Sequence, residues 1–186
     1  IKVTRLNLAT PQSQLRANLQ MDYSAFSAHP QGEIMLDSKG CLAVDDIAMA
    51  AGEDIPASIR NGLSGQGINF HTYIKGNTDR LEVDTLVLHM PSVADIRAEG
   101  RGRHLLATDS TEAQMTVDLH TMDLSCIRRA FELKDVALPS TTLHATARLR
   151  MGNLLHVDAL ATQHHGRARI ALSANTKSMA YQTQMS

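Results

Sequence analysis

The sequence has no Trp and only three Phe and three Tyr, so aromatics make up 3% of 186 residues. Aromatic side chains normally supply much of the buried area of a globular core. Their scarcity argues against an enzyme or sugar-binding β-domain built on aromatic platforms. The apolar surface is left to Leu, Ala, Ile, Val and nine Met. Such a surface suits an open groove or an elongated sheet, with a plain aliphatic core as the alternative. Cysteine is scarce too: Cys41 and Cys126 are the only two. Their wide separation is neither a metal-ligand spacing nor the dense pattern of a disulfide scaffold, so two buried free thiols are expected. No charge sign dominates, since the formal net charge is −1 and Lys and Arg are spread along the chain. No basic patch of the kind a phosphate backbone requires is visible, which argues against nucleic acid as a partner. No apolar run approaches the roughly 20 residues that span a bilayer, and no signal peptide is visible. The chain starts at Ile1 rather than Met, and the expectation is an internal fragment of a longer protein.

Catalytic signatures are also missing. Gly62-Leu63-Ser64-Gly65 is not a nucleophile elbow, because Gly follows the Ser directly. Gly65-Gln66-Gly67 lacks a third glycine and opens a strand rather than a helix, against a dinucleotide site. Nine His residues raise the question of a metal, mainly through His164-His165. Adjacent strand residues point to opposite faces, so these two rings are not expected to chelate one ion unless a turn reverses them. His89, His104, His120, His144 and His156 fall mostly on the polar parity of their strands and read as solvated side chains. The expectation is therefore no catalytic residue, no metal and no cofactor.

Strict alternation is what the chain does have. Leu15, Ala17, Leu19, Met21 and Tyr23 alternate with polar residues, as do Leu143, Ala145, Ala147, Leu149 and Met151. Ala168, Ile170, Leu172 and Ala174 follow the same rule, and so do Ile68, Phe70, Thr72 and Ile74. Period-2 alternation gives one apolar and one wet face, the habit of an antiparallel sheet. Gly76-Asn77 and Gly152-Asn153 read as two-residue turns, and His29-Pro30-Gln31-Gly32 as a four-residue turn. Met90-Pro91 and Leu138-Pro139 read as strand ends, because Pro cannot donate to a central ladder. The expected fold is all-β: an elongated antiparallel meander of about ten strands, curved into an open apolar groove, in one domain spanning residues 1–186. One or two short helices are expected, at Asp45 to Ala51 and at Asp123 to Phe131, the latter capped by Asp123 or Ser125.

One motif recurs. Leu42-Ala43-Val44-Asp45, Leu81-Glu82-Val83-Asp84, Met115-Thr116-Val117-Asp118 and Leu155-His156-Val157-Asp158 place Val-Asp at intervals of 39, 34 and 40. A near-regular interval in this range suggests an array of similar supersecondary units. Leu81 and Val83 share a face, yet Leu86, Leu88 and Met90 lie on the opposite parity, and Leu160 is out of phase with Val157. A phase change inside a strand marks a bulge, so one is expected shortly after Val83 and another after Val157. Each Val is expected inward and each Asp outward, in solvent.

The segments Leu8-Ala9-Thr10-Pro11-Gln12-Ser13-Gln14-Leu15, Met21-Asp22-Tyr23 and Gly40-Cys41-Leu42-Ala43-Val44-Asp45-Asp46-Ile47 resemble TamB-type proteins of the AsmA-like superfamily, in the Bacteroidetes style. Gly62-Leu63-Ser64-Gly65 and Val136-Ala137-Leu138-Pro139 share that texture. Two features depart from it: His120 stands where the other copies have an apolar residue, and no anchor helix or barrel-binding region is present in the sequence. The resemblance implies a periplasmic protein of a Gram-negative bacterium, anchored in the inner membrane and reaching toward the outer one. It further implies a bridge-like lipid-transfer protein whose curved sheet encloses an apolar groove.

Two functional expectations follow. In the first, the chain is a segment of a lipid conduit for phospholipid acyl chains. Its groove is lined by Leu15, Leu19, Ile34, Leu36, Ile68, Phe70, Val83, Val117, Leu119, Leu149, Val157 and Ile170. In the second, it is a scaffold for assembling outer-membrane barrels by strand addition at exposed edges, alongside an Omp85-type barrel. Two open edges also make edge-to-edge self-association of the fragment an expectation.

Overall fold

The computed structural model describes residues 1–27, 29–107, 109–133, 139–150, 153–164, 166–175, 178 and 180–185. The alternating segments form β1 (Lys2–Ala9), β2 (Gln14–Met21), β3 (Ile34–Ala43), β4 (Gly67–Gly76), β5 (Arg80–Met90) and β6 (Ala94–Arg103). They continue as β7 (Glu112–Thr121), β8 (Thr142–Arg150), β9 (Leu154–Gln163), β10 (Gly166–Asn175) and β11 (Ala180–Met185). Among the described residues these eleven strands form one open sheet, every strand antiparallel to its sequence neighbour. The fold is the expected all-β meander with one strand more than the expected ten. In β1 the alternation is hidden by an extra residue between Val3 and Leu6, where Arg5 takes a φ of 60°.

Three short helices interrupt the meander, not one or two: α1 (Val44–Ala51), α2 (Ala57–Leu63) and α3 (Ser125–Ala130). The first and third fall where the sequence predicts them. The N-cap position of α3 is Leu124, not Asp123 or Ser125, and Asp123 just before it accepts the Ser125 N–H at 2.8 Å and the Ser125 hydroxyl at 3.1 Å. Helix α2 carries Gly62 in its interior, a residue that lowers helix propensity, and so escapes a propensity reading.

Connections β3–β4 and β7–β8 both follow odd-numbered strands. An antiparallel meander therefore puts α1, α2 and α3 at the same end of the sheet. There α2 and α3 meet: a Cβ at Gly62 would lie 2.4 Å from Cα of Ala130. Only a glycine permits that approach. Most of the buried apolar residues collect at this end, namely Ala43, Val44, Ala48, Val93, Cys126 and Ala130. Both thiols are free, as expected, but only Cys126 is buried while Cys41 is partly exposed.

The opposite end is stitched by loops. Gly76 adopts a φ of 124°, and the connection to β5 is the three residues 77–79 rather than a two-residue turn. Asn77 Oδ1 accepts the N–H groups of Asp79 and Arg80 at 3.0 and 2.9 Å, closing an Asx turn. Thr78 donates its N–H and hydroxyl to the carbonyl of Ala25, which lies in a single 3-10 turn at Tyr23–Phe26. That turn ends β2 at Met21, so Tyr23 leaves the alternation and stands exposed. His29, Pro30 and Gln31 do not form a tight four-residue turn but belong to a longer β2–β3 connection. Met90-Pro91 ends β5 as predicted. Gly152, His165 and residues 136–138 lie outside the described residues.

The two predicted bulges part company. Val83 pairs with Gly100 and Leu86 with Ala98, so one extra residue stands in β5 at Asp84-Thr85. Strand β9 instead pairs without a break through Leu160 on both sides. The bulge expected after Val157 is absent. The Val-Asp copies are likewise not equivalent, because Val44-Asp45 opens α1 instead of sitting in a strand. The remaining three lie on β5, β7 and β9, so their interval is the length of one hairpin.

Candidate functional site

The register builds one apolar face across the whole sheet. One row runs Leu8, Leu15, Gly40, Phe70, Leu88, Ile96, Leu119, Leu143, Ala161, Ala168. The next runs Leu6, Ala17, Ser38, Thr72, Leu86, Ala98, Val117, Ala145, Ala159, Ile170, Met185. A third runs Val3, Leu19, Leu36, Ile74, Val83, Gly100, Met115, Ala147, Val157, Leu172. Ile34 and Leu149 belong to the row flanking the third, with Leu81 and Leu155, and Ile68 pairs with Leu42 beyond the first. All twelve residues singled out from the sequence therefore share one face. At about 4.8 Å per strand the face extends roughly 45–50 Å across the strands.

Several members of the face lie beyond the twelve residues singled out from the sequence. Leu81, Leu86, Leu88 and Ile96 sit in the same rows, and the bulge is what restores Leu86 and Leu88 to the face of Val83. The out-of-phase triplet Leu86, Leu88, Met90 was the available signal. Val3, Leu6 and Leu8 were hidden by the β1 irregularity in the same way.

Among the described residues there is one sheet, the helices pack mainly on each other, and no large side chain is fully buried. The large aliphatics of the face are half-buried by their neighbours, and Leu8, Met115 and Ile170 are 55%, 48% and 38% exposed. The lining also changes along the sheet. Strands β1 to β5 present mainly Leu, Ile, Val and Phe, whereas β6, β8 and β9 present Ala94, Ala98, Gly100, Gly102, Ala145, Ala147, Ala159 and Ala161.

The other face is polar and its charges are laddered. The four Asp residues of the Val-Asp copies are not free in solvent. Asp45 accepts the Gly65 N–H at 3.0 Å, Asp84 pairs with Lys75 at 3.0 Å and Asp118 with His144 at 2.6 Å. Asp158 holds Arg169 through two hydrogen bonds of 2.6 and 3.1 Å, and this guanidinium keeps its carboxyl below the usual range. Lys75 sits between Asp84 and Glu82, and its ammonium is raised chiefly by Asp84. His89 faces Asp95 and His71 faces Asp37. His120 and His156 contact Thr142 and Ser173.

Asp46 joins the segments around Ser13 and Val44. The hydroxyls of Ser13 and Thr10 both donate to its Oδ2. Ser13 Oγ in turn accepts the Ala43 N–H at 2.9 Å, tying the β1–β2 turn to the start of α1. The Ser13 bond, then the Thr10 bond, hold the Asp46 carboxyl below its ordinary value.

The scatter of basic residues along the chain does not survive folding. Arg101, Arg103, Arg148 and Arg150 line one cleft on the polar face. Among the described residues, no three or more His, Cys, Asp or Glu side chains are placed to hold a metal ion. No helix among them is long and apolar enough to cross a membrane.

Comparison of this chain with protein-family models, with curated proteins and with solved structures finds no match.

Proposed function

We propose that this chain is a segment of a bridge-like lipid-transfer protein of the TamB type within the AsmA-like superfamily, and that its apolar face carries phospholipid acyl chains. In this reading the parent protein is anchored in the inner membrane and works in the periplasm of a Gram-negative bacterium, supplying outer-membrane biogenesis. The observation that carries it is the apolar face of eleven strands with no second layer upon it among the described residues. Burying apolar surface needs only area and no directional bond, so acyl chains fit such a face at any position along it. Each methylene removed from water contributes about 0.8 kcal/mol, so a single chain lying along a few strands is held firmly yet without a fixed register. Native mass spectrometry of the purified chain tests this reading, and phospholipid adducts are the expected result. Lipid-free protein after expression in a membrane-containing host, together with no transfer between labelled vesicles, would sink it.

A second reading rests on the edges. Among the described residues β1 hydrogen-bonds only to β2, and β11 only to β10. Free edges of this kind add strands, so assembly of outer-membrane β-barrels with an Omp85-type partner is the competing role. Proline placed in β1 or β11 separates the two. It blocks strand addition and leaves lipid on the apolar face.

A further inference from the structure

We propose that the polar face carries a second ligand site, an anion cleft that takes a phosphate monoester or pyrophosphate-type group. The cleft lies between β6, β7 and β8 and is lined by Arg101, Arg103, Arg148 and Arg150, with Glu112 and Gln114. This proposal rests on the polar face alone and stands apart from the lipid reading of the apolar one.

Register explains how the arginines meet. Arg101 pairs with Gln114 and Gln114 with Arg148, so three consecutive strands place two guanidinium groups on either side of one amide. Arg103 and Arg150 are the same-face neighbours two residues further along β6 and β8. Two strand spacings separate the flanking pairs by about 10 Å, a span that two extended arginine side chains close onto a single anion.

Charge balance sets this cleft apart from the ion-paired stretches of the face, where Lys75, Arg169, His89 and His144 each meet a carboxylate. The lining of the cleft holds four guanidinium groups and one carboxylate, Glu112, while Glu82, across from Arg101, is already engaged by Lys75 and Arg80. Arg101 reaches only the Gln114 amide oxygen at 3.3 Å, and the Arg103, Arg148 and Arg150 side chains have no hydrogen-bond or ion-pair partner among the described residues. Arg103 also stands directly across from Arg80, a like-charge pairing that destabilises a sheet. The other like-charge pair, Arg16 with Lys39, lies near the sheet edge, where charge deters pairing with another chain.

The surplus selects the ligand. One carboxylate leaves the cleft strongly positive, whereas a phosphate monoester brings about two charges and three acceptor oxygens. Guanidinium forks bind phosphate oxygens in bidentate fashion, which a set of ammonium groups does not.

Isothermal titration calorimetry at low ionic strength, with inorganic pyrophosphate as the probe, tests the assignment. Pyrophosphate is expected to bind, and binding is expected to weaken with added salt. The double variant Arg101→Gln/Arg148→Gln is expected to weaken it about tenfold or more, from the loss of charge-assisted bonds. Arg97→Gln, a change on the same strand outside the cleft, leaves it unchanged. Circular dichroism verifies that each variant folds, and Arg103→Gln/Arg150→Gln provides an independent pair. A second arm uses flotation with phosphatidic-acid vesicles against pure phosphatidylcholine vesicles. Phosphatidic-acid binding with the same arginine dependence places the phosphate on a lipid headgroup. Pyrophosphate binding alone places it on a free compound. No binding of either probe, or equal binding by the double variants and the wild type, overturns the proposal.

Discussion

Helices α2 and α3 touch where Gly62 meets the backbone of Ala130, with no space between them. On the sheet, Leu86 and Leu88 stand half-buried in adjacent rows of the apolar face, with no second layer above them among the described residues. The helical end is dry and built from small residues: Val44, Ala48, Val93, Cys126 and Ala130 are all buried. The sheet face is built from larger residues and stays wet. Side-chain volume thus runs opposite to burial. A chain arranged only for stability would put its large aliphatics where they are covered, because stabilisation scales with apolar area removed from water. The difference teaches that, among the described residues, topology leaves the larger apolar side chains of the sheet uncovered while the small ones are packed away.

Four experiments break or sharpen that contrast. Leu86→Ala with Leu88→Ala and Met90→Ala removes the apolar side chains that the β5 bulge brings to the open face. Half-burial of three such side chains is worth about 2–4 kcal/mol. Urea unfolding should therefore show the largest loss here. Gly62→Leu should cost about 1–3 kcal/mol by overpacking. Hydrogen exchange should then rise in α2 and α3 while the central strands stay protected. Equal deprotection everywhere would mean that cap and sheet are one cooperative unit, and the contrast fails.

Leu88→Glu with Val117→Glu puts two charges on the open face. Since these positions are already partly hydrated, the thermal midpoint should fall by only a few degrees, as for a loss of about 1 kcal/mol. Bound phospholipid should vanish, whereas Ala130→Glu in the cap should unfold the helices. The smallest effect concerns acid. Asp46 has a depressed folded pKa, so its contribution is complete above the ordinary carboxylate value of about 4 and is lost as pH falls through the lower folded value. Asp46→Asn should remove that part of the acid dependence, measured as urea midpoints between neutral pH and pH 3.

The Val-Asp copies show how far the sequence can be read. The residue three after each Val is Ile47, Leu86, His120 or Leu160. In an unbroken strand that position faces the polar side, and His120 fits it there, exposed on β7. It departs from the motif and agrees with the geometry. Leu160 occupies the same position in β9 and is left 40% exposed. A bulge forms in β5 because three large side chains gain by it. None forms in β9, because Leu160 alone would gain and Ala159 and Ala161 already face inward. Parity was legible at both places; the outcome depended on how many neighbours across the sheet shared the benefit.

What the sequence by itself determined is the strand period, and with it which residues of an unbroken strand share a face. That follows from backbone geometry local to each residue, which is why all twelve singled-out apolar residues fall on one side. Tertiary structure alone decided the β5 bulge, the seating of Gly62 on Ala130 and the gathering of four arginines in one cleft. Each of these depends on contacts between residues far apart in the chain, whose energies exist only once the strands are in register.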